Sequence, residues 1–296
     1  MPGDTTTQSL ADSLSTMRLG ARIVLEQKGR MRDTVDRVVL PNNIGNSWSE
    51  VDYGQLTAMD ITELTDIDEN PQELSDTLRT ITPADSGIFV FYTDRVADRI
   101  LQSAAAIVRS GEQSQRALLR KEDEDGIAVG QAATTDLGAA GNPLTSTLVR
   151  HAKYRISSNA TERGEGPYYM QHHGFCLTDI DDELTAAVGT YEITSGVTAD
   201  VFGRSYTEAP QLLGGVIVQE NGNIAIDSST NDAEGFVYSS KGIILVEGRG
   251  MRTEVRRFPN KGGGGTGIYM YFEYAYGERS AGNWLFSITA DATAPA

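Results

Sequence analysis

The segment from Asp94 to Asp125 constrains the fold most, because its pattern predicts one long helix. Apolar and small residues recur at three- and four-residue spacing from Val96 to Leu118, which places them on one helix face. Charged residues cover the other faces, and the segment ends in the dense charge block RKEDED at residues 120–125. A helix of ~30 residues is ~45 Å long, which exceeds the diameter of a small domain. We therefore expect a strut packed on a sheet, which is typical of a structural protein.

The composition and charge exclude several classes of protein. With 296 residues, of which 39% are hydrophobic, the chain is long enough for one large or two interleaved domains with a real core. A formal net charge of −16 argues against a nucleic-acid-binding surface, because phosphate binding needs a concentrated basic patch. The single cysteine, Cys176, excludes an intramolecular disulfide framework. No apolar run approaches the ~18–20 residues that span a bilayer, and the first residues lack a secretory-signal pattern, so we expect a soluble protein made in a cytosol.

Positive charge is concentrated near the amino terminus. Residues 1–40 begin polar and then become basic and amphipathic. Two interpretations remain open, a flexible terminus with a short helix or an arm that orders only against a neighbouring subunit. The basic residues are Arg18, Arg22, Lys28, Arg30, Arg32 and Arg37.

Residues 50–86 reverse the sign, since Arg79 is their single basic residue among many carboxylates. Within them, 56–64 and 74–81 show rough alternation around the turn-like DIDENPQ, which predicts a long acidic hairpin. A two-stranded ribbon is marginally stable alone, so it is expected to lie on another surface. A basic arm and an acidic ribbon suggest self-assembly through charge complementarity, although solvated charge runs are the commoner explanation.

The rest of the sequence mixes helices and strands without a βαβ repeat, which favours the α+β class. Residues 126–143 are rich in Gly, Ala and Thr and predict a loop with at most a short helix. Helices are predicted at 144–158 and 178–188, and strands at 88–92, 168–172, 212–219, 235–246, 253–258, 268–276 and 284–289.

Several groups of residues could in principle form a metal or catalytic site, but each lacks a feature that such a site requires. His172, His173 and Cys176 offer nitrogen and sulfur ligands that zinc accepts, but no second ligand pair exists and a metal site is not expected. The calcium-loop beginning at 66–70 lacks the glycine and the bidentate glutamate that such a loop requires. The acidic run 179–183 lies inside a predicted helix, where carboxylates near the amino end are favoured by the dipole. No catalytic residue, cofactor or metal is predicted.

Five stretches in order carry a family resemblance. They are GEQSQRALLRKEDED (111–125); LTSTLVRHAKYRISSN (144–159) with PYYMQHHGF (167–175) and DDEL (181–184); LLGGVIVQENGN (212–223); GFVYSSKGIILVEG (235–248); and the hairpin strand 267–276 with WLFSITADA (284–292). In this order they resemble the major capsid protein of tailed double-stranded DNA bacteriophages, the fold named after phage Hong Kong 97. The resemblance covers roughly residues 40 to 292.

The resemblance implies an α+β fold with four parts. These are an amino-terminal arm (1–45), an extended loop formed by the acidic β-ribbon (46–87), a peripheral domain (88–143 and 236–281) with the spine helix 94–125, and an axial domain with the carboxyl-terminal strand (144–235 and 282–296).

The resemblance also implies a non-enzymatic function in self-assembly. The subunit would form pentamers and hexamers of an icosahedral head that encloses packaged double-stranded DNA without sequence-specific binding. Its partners would be other copies of itself, a portal protein, and a separate scaffolding protein and decoration proteins where they exist, with no membrane. It would assemble in the host cytoplasm and reside in the virion. The residues hypothesised to contact other subunits are Arg30, Arg32, Arg37, Glu63, Asp66, Asp68, Glu69, Arg120, Lys121, Glu122 and Asp123.

Two departures from the family pattern and two alternatives accompany this prediction. Gly174 follows His173 where the family usually has proline, and the ribbon contains no lysine, so no lysine–asparagine cross-link between subunits is expected. An encapsulin-type nanocompartment shell shares the fold and is the first alternative. An α+β hydrolase or metal-binding enzyme is the distant one.

Overall fold

Helices and strands alternate irregularly along the chain, and the predicted α+β class is confirmed. The computed structural model describes residues 29–41, 45–64, 67–68, 71–99, 103–189, 213–260 and 263–294. The helices are α1 Met31–Thr34, α2 Asp94–Arg99, α3 Ser103–Gln131, α4 Ser146–Ser157 and α5 Gly174–Gly189. The strands are β1 Asp36–Val39, β2 Trp48–Tyr53, β3 Asp76–Ile81, β4 Ala84–Thr93, β5 Tyr168–His172, β6 Val216–Glu220, β7 Asp232–Ser239, β8 Ile243–Glu247, β9 Arg252–Phe258, β10 Gly265–Glu278 and β11 Leu285–Asp291.

The first sheet is built around β10, whose 14 residues pair along both edges. Its first ten residues run antiparallel to β4, while β9 and then β8 share the opposite edge. Strand β1 extends the sheet parallel to β8. The predicted alternation in β10 is confirmed, because Ile268, Met270, Phe272 and Tyr274 are buried and the residues between them are more exposed.

Helix α3 packs against β10 and ends later than the sequence predicted. It continues to Gln131, so the prediction of a loop from 126 was wrong for six residues. The continuation is stabilised by Ile127, which is buried, and by Gly130, which lies close to the ring of Phe236. The RKEDED block therefore lies inside the helix, where its side chains can reach partners on both sides. Residues 100–102, between α2 and α3, lie outside the described ranges.

The second sheet has the order β11–β7–β5–β6 and forms the main core with α4 and α5. Strands β5 and β6 are parallel and the other pairs antiparallel. The apolar face of α4 is buried through Val149, Ala152 and Ile156. The predicted strand 235–246 proved to be two strands, because a turn closed by the hydrogen bond from Gly242 N–H to the Ser239 carbonyl separates β7 from β8. These two strands belong to different sheets, and the predicted domain boundary at 235–236 falls within β7.

The acidic run 179–183 was predicted near the amino end of its own helix, but it lies in the interior of α5, which begins at Gly174. Two of its carboxylates instead bind the amino end of α4. Asp179 accepts a hydrogen bond from Leu144 N–H at 3.0 Å, and Glu183 accepts from Ser146 N–H at 2.7 Å. They thus satisfy free N–H groups at the amino end of α4.

Strands β2 and β3 form a separate two-stranded ribbon in the register Trp48–Ile81 to Tyr53–Asp76. The prediction of a strand at 56–64 was wrong, because these residues are described and form no strand, and their large apolar side chains are exposed. The predicted strand at 74–81 is confirmed from residue 76 onward. Residues 1–28, including Arg18, Arg22 and Lys28, lie outside the described residues, as do 190–212. Within the described ranges, no helix is both long and apolar enough to cross a bilayer.

Candidate assembly surfaces

The arm root, defined here as residues 29–39, is attached to α3 by the carboxylate of Asp123, which is 2% exposed. Its Oδ1 atom accepts hydrogen bonds from the backbone N–H groups of Arg30 at 2.6 Å and Met31 at 2.9 Å. Its Oδ2 atom accepts from the side-chain amides of Asn221 at 2.8 Å and Asn223 at 2.9 Å. Four donors therefore satisfy one buried carboxylate and join three distant parts of the chain.

A chain of buried polar groups extends from this carboxylate into the second sheet. The amide of Asn221 also donates to Gln171 Oε1 at 2.9 Å, and Gln171 donates to the hydroxyl of Tyr238 at 3.0 Å. That hydroxyl lies 2.5 Å from Thr34 Oγ1 of the arm root. The network is closed on itself, so it fixes the position of residues 30–34 on the subunit.

Two arginines of the arm root meet two carboxylates at the junction of α3 and β8. The Nη1 atom of Arg32 lies 3.2 Å from both carboxylate oxygens of Glu122. Its Nη2 atom lies 2.6 Å from Glu247, and Arg37 Nη2 lies 2.7 Å from the other oxygen of Glu247. Both carboxylates are buried, so these pairs are far less screened than pairs at the surface. We call these four residues the arm-root charge cluster.

The base of the ribbon is fixed to the first sheet by Arg279. Its Nε atom lies 2.7 Å from Glu50 in β2, and its Nη1 atom lies 2.8 Å from Asp36 in β1. Its guanidinium also covers the ring of Trp48 at 5.7 Å from the centroid. Only 14% of the Arg279 side chain is exposed, so its guanidinium is largely buried between the ribbon and the first sheet, where Ile81 of β3 also lies close to Gly277 of β10.

The opposite face of the ribbon is turned to solvent and carries three apolar side chains besides Ser49, Thr80 and Asp76. Period-2 alternation places Val51 and Tyr53 of β2 on that face, and Leu78 of β3 lies directly opposite Val51. These three side chains are exposed. Because none of the described residues covers these three apolar side chains, this ribbon face is a candidate contact with another molecule.

The exposed large apolar residues are concentrated in the two ribbon strands and in the segment that connects them. Nine of the fifteen large apolar side chains that are exposed among the described residues lie between 51 and 78. Leu64, at 97% exposure, is the extreme case. The nine are Val51, Tyr53, Leu56, Met59, Ile61, Leu64, Ile67, Leu74 and Leu78.

A second exposed surface lies on the face of the first sheet opposite the buried side chains of β10. Phe89 of β4 is half-exposed and stacks on Tyr269 of β10 with ring centroids 4.5 Å apart. Arginines of β9 cover this face, Arg252 at 5.1 Å from the Tyr271 ring and Arg256 at 5.4 Å from the Phe258 ring. We call it the aromatic–arginine face.

Several solved structures of bacteriophage heads and capsids are similar to this chain. A chain of the head structure of Helicobacter pylori bacteriophage KHP40 matches with a TM-score of 0.68 and 10% identity, over 91% of this chain and 93% of that one. A chain of the cyanophage Pam1 capsid matches with a TM-score of 0.65 and 12% identity, over 93% and 95%. A chain of the Ralstonia phage GP4 capsid matches with a TM-score of 0.64 and 10% identity, over 94% and 96%. Neither a protein-family model nor a curated relative matches the sequence.

The fold is that of bacteriophage capsid proteins. Coverage above nine-tenths of both chains means that the match includes both sheets and the long helix, and not a shared fragment. The family resemblance drawn from five short sequence stretches is confirmed at the level of the fold. The segment predicted as the spine helix of the capsid fold contains α2 and most of α3, and the predicted extended loop contains the ribbon. The division into arm, loop, peripheral and axial domains stays a prediction.

The residues hypothesised to contact other subunits of the capsid fold fall into three groups. Arg30, Arg32, Arg37, Glu122 and Asp123 are brought together at the arm root, where they bond one another and other groups of the same chain. Arg120 and Lys121 form pairs within α3 with Glu124 at 3.4 Å and Asp125 at 2.8 Å. In the ribbon segment, by which we mean residues 50–86, Glu63 and Asp68 are exposed, whereas Asp66 and Glu69 lie outside the described residues. Contacts of all these residues between subunits stay predictions.

Sequence reasoning missed the partners that organise the arm root and the ribbon. Glu247, just after the predicted strand 235–246, was assigned no role, and neither were Arg279, Asn221 and Asn223. The one available signal was the turn-like sequence NGN at 221–223, because Asn side chains at such a turn are free to donate to a distant acceptor. Nothing local to Arg279 or Glu247 reveals partners that lie more than 200 residues away.

The histidine–cysteine triplet forms no metal site in the part of the chain that the structure describes. His172 is fully buried, its Nε2 atom lies 3.1 Å from the Ile288 carbonyl, and burial lowers its pKa to about 4. Burial also raises the pKa of the Cys176 thiol to about 12, so this cysteine is neither a ready nucleophile nor a ready ligand. Both residues act as core side chains of the second sheet and α5.

Proposed function

We propose that this chain is the shell subunit of a bacteriophage head and that it assembles into pentamers and hexamers around packaged double-stranded DNA. The observation that carries the proposal is the uncovered apolar side chains of the ribbon segment on a chain with a capsid-protein fold. Exposing that much apolar surface is unfavourable in a monomer, whereas burial against a second copy contributes roughly 25 cal/mol per Å². Nothing in this function requires a catalytic residue or a cofactor.

The aromatic–arginine face of another subunit is the proposed position of the ribbon. The ribbon segment is acidic and apolar, with Arg79 as its single base between residues 50 and 86. The aromatic–arginine face combines the half-exposed Phe89 and partly buried neighbouring rings with arginines from β9. Opposite charges and apolar surface on both sides fit a contact in which charge fixes the register and burial supplies the free energy.

The overall charge supports enclosure of DNA without adhesion to it. A shell with a net charge of −16 per subunit repels a phosphate backbone, so the packaged genome would stay mobile and releasable. In this proposal a portal protein completes the shell, scaffolding and decoration proteins are separate chains where they exist, and assembly takes place in the host cytoplasm before the subunit becomes part of the virion.

Negative-stain electron microscopy of the purified recombinant chain tests the proposal. Closed shells, rings or tubes built of five- and six-membered capsomers are expected as protein concentration rises. A chain that remains monomeric at every concentration, while circular dichroism shows that it is folded, would contradict the proposal. The neighbouring genes then distinguish the two kinds of shell, because portal, protease and terminase genes indicate a phage head and a ferritin-like or peroxidase cargo gene indicates a nanocompartment.

A further inference from the structure

The outward face of α4 is basic in a chain whose net charge is −16. Residues at three- and four-residue spacing are exposed along this helix and therefore lie on one side of it. They include Arg150, His151, Tyr154 and Arg155, and the ring of Tyr154 is half-exposed. The helix Ser146–Ser157 contains no Asp or Glu. We call this surface the basic α4 face.

The arginines of the basic α4 face are held in place without being neutralised. Arg150 donates to the carbonyl and to the hydroxyl of Ser146, both at 3.2 Å. The guanidinium of Arg155 lies 5.9 Å from the centroid of the Phe286 ring. Neither arginine forms an ion pair with a carboxylate in the part of the chain that the structure describes. Such preorganised charges can bind an external carboxylate with a small loss of side-chain entropy.

Helix α4 lies on the side of the second sheet that faces away from the arm root. Side chains alternate along β5, so Tyr168 and Gln171 point to opposite sides of the sheet. Gln171 donates to Thr34 of the arm root at 3.3 Å, whereas Lys153 of α4 lies 5.6 Å from the centroid of the Tyr168 ring. The arm root therefore does not cover the basic α4 face, and this face is distinct from the aromatic–arginine face of the first sheet.

The outward face of α5 has the opposite charge. Phe175, Thr178 and Asp182 follow one another at helical spacing and are exposed, as is the neighbouring Asp181. The helix Gly174–Gly189 contains no Lys, Arg or His. Like the basic α4 face, this surface combines an aromatic ring with charges of one sign. We call it the acidic α5 face.

We propose that the basic α4 face of one copy binds the acidic α5 face of a second copy. Opposite charges would fix the register, and the rings of Tyr154 and Phe175 would contribute apolar area, since interfaces are enriched in aromatic residues and arginine. Because the contact joins two different surfaces, it can repeat from copy to copy and close a ring. The inference rests on the proposed function, in which pentamers and hexamers are such rings.

Cysteine cross-linking between two variants of the full chain tests this contact. His151→Cys places a thiol on the basic α4 face, Thr178→Cys places one on the acidic α5 face, and the native Cys176 is buried. Mild oxidation of an equal mixture should give at least about fivefold more cross-linked dimer than either variant alone, because only unlike faces meet. Equal yields from the mixture and the single variants, or no cross-linked dimer, would overturn the inference.

Charge reversal tests whether opposite charges hold the two faces together. Arg155→Glu in the His151→Cys chain should lower the yield of cross-linked dimer several-fold, and Asp182→Arg in the Thr178→Cys chain should restore it. The matched control is Asp227→Arg, an exposed carboxylate in the turn before β7, which should not restore the yield. A yield that Arg155→Glu leaves unchanged, or that both new arginines restore, would overturn the inference. If Arg155→Glu does not fold, Arg155→Gln should give a smaller decrease.

The combined results distinguish this inference from the proposed function. Shells without the mixed cross-link contradict only the inference, whereas cross-linked oligomers that never form shells contradict only the proposed function. A monomeric chain without cross-links contradicts both. Binding of a labelled DNA duplex that Arg155→Glu abolishes, in a chain without cross-links, would assign the basic α4 face to nucleic acid and overturn the inference.

Discussion

At the scale of single residues, the subunit depends on a few buried charges that have several partners each. Asp123 accepts four hydrogen bonds, and the donors come from the arm root and from the turn after β6. A buried carboxylate is costly unless its oxygens are satisfied, and here both are. Asp123 therefore defines where the arm root sits on α3.

Asp123→Asn should destabilise the subunit by about 2–4 kcal/mol, because the new amide would point its hydrogens at two existing donors. The measurement is the free energy of unfolding from urea titration. Asp125→Asn is the control, since Asp125 is half-exposed and its partners are Lys121 and the Tyr274 hydroxyl. That change should cost under about 1 kcal/mol, and equal losses in both variants would refute the anchoring role of Asp123.

The position of such residues was only partly predictable from the sequence. The RKEDED block was correctly singled out as a charge concentration, but its division into two buried and four more exposed residues was not. Burial of Glu122 and Asp123 depends on the arm root and on β8, whose residues lie about 90 to 125 positions away along the chain. Local pattern carries no information about such partners.

At the scale of elements, periodicity predicted the strands and helices that have a buried face. Strand β10 and helix α4 were predicted within a few residues because their apolar positions repeat with periods of 2 and 3.6. The strand predicted at 56–64 was wrong because apolar and polar residues alternate there although the segment packs on no core. Its large apolar side chains are exposed, and the partner of β3 is β2. The end of α3 was missed because glycines at 126 and 130 indicate a loop. In the structure these glycines lie inside the helix, and a Cβ atom there would crowd Met31 at position 126 and Phe236 at position 130.

Two glycines in α3 should respond to alanine in opposite directions. A Cβ atom at Gly130 would lie 2.6 Å from the Phe236 ring, so Gly130→Ala should cost about 1–3 kcal/mol of unfolding free energy. A Cβ atom at Gly111 would meet nothing within 4 Å, so Gly111→Ala should stabilise the subunit by about 0.5–1 kcal/mol through helix propensity. Urea titration of both variants checks this, and the same sign in both would contradict the packing assigned to α3.

Removal of the Arg279 side chain should loosen the attachment of the ribbon to the first sheet without unfolding either sheet. Arg279→Ala removes the pairs with Glu50 and Asp36 and uncovers Trp48, so limited proteolysis between residues 54 and 75 should become several-fold faster. Arg249→Ala is the control, since its pair with Glu273 at 3.3 Å is more exposed. Unchanged cleavage in Arg279→Ala would show that the ribbon is held by other contacts.

At the scale of the whole molecule, the fold is a capsid fold, and most of the exposed large apolar side chains among its described residues lie between residues 51 and 78. The acidic character of that segment suggests that charge guides its docking. Replacing Glu63, Asp66 and Asp68 by lysine should impair shell formation while the melting temperature of the subunit stays within about 2 °C. Gln and Asn at these positions should give an intermediate defect in light-scattering assays of assembly. Normal shells from the lysine variant would exclude charge complementarity at the ribbon.

The central claim is that a second copy covers the exposed apolar residues between 51 and 78 when shells form. Leu64→Cys places a thiol at a position that is 97% exposed in the subunit, and the native Cys176 is buried and should stay silent. The decisive measurement is the rate of thiol labelling of this variant before and after assembly, with shells verified by microscopy. We predict rapid labelling of the free subunit and at least about tenfold slower labelling in the shell, because burial at an interface excludes the reagent. Equal labelling rates in the free and assembled states would contradict the account.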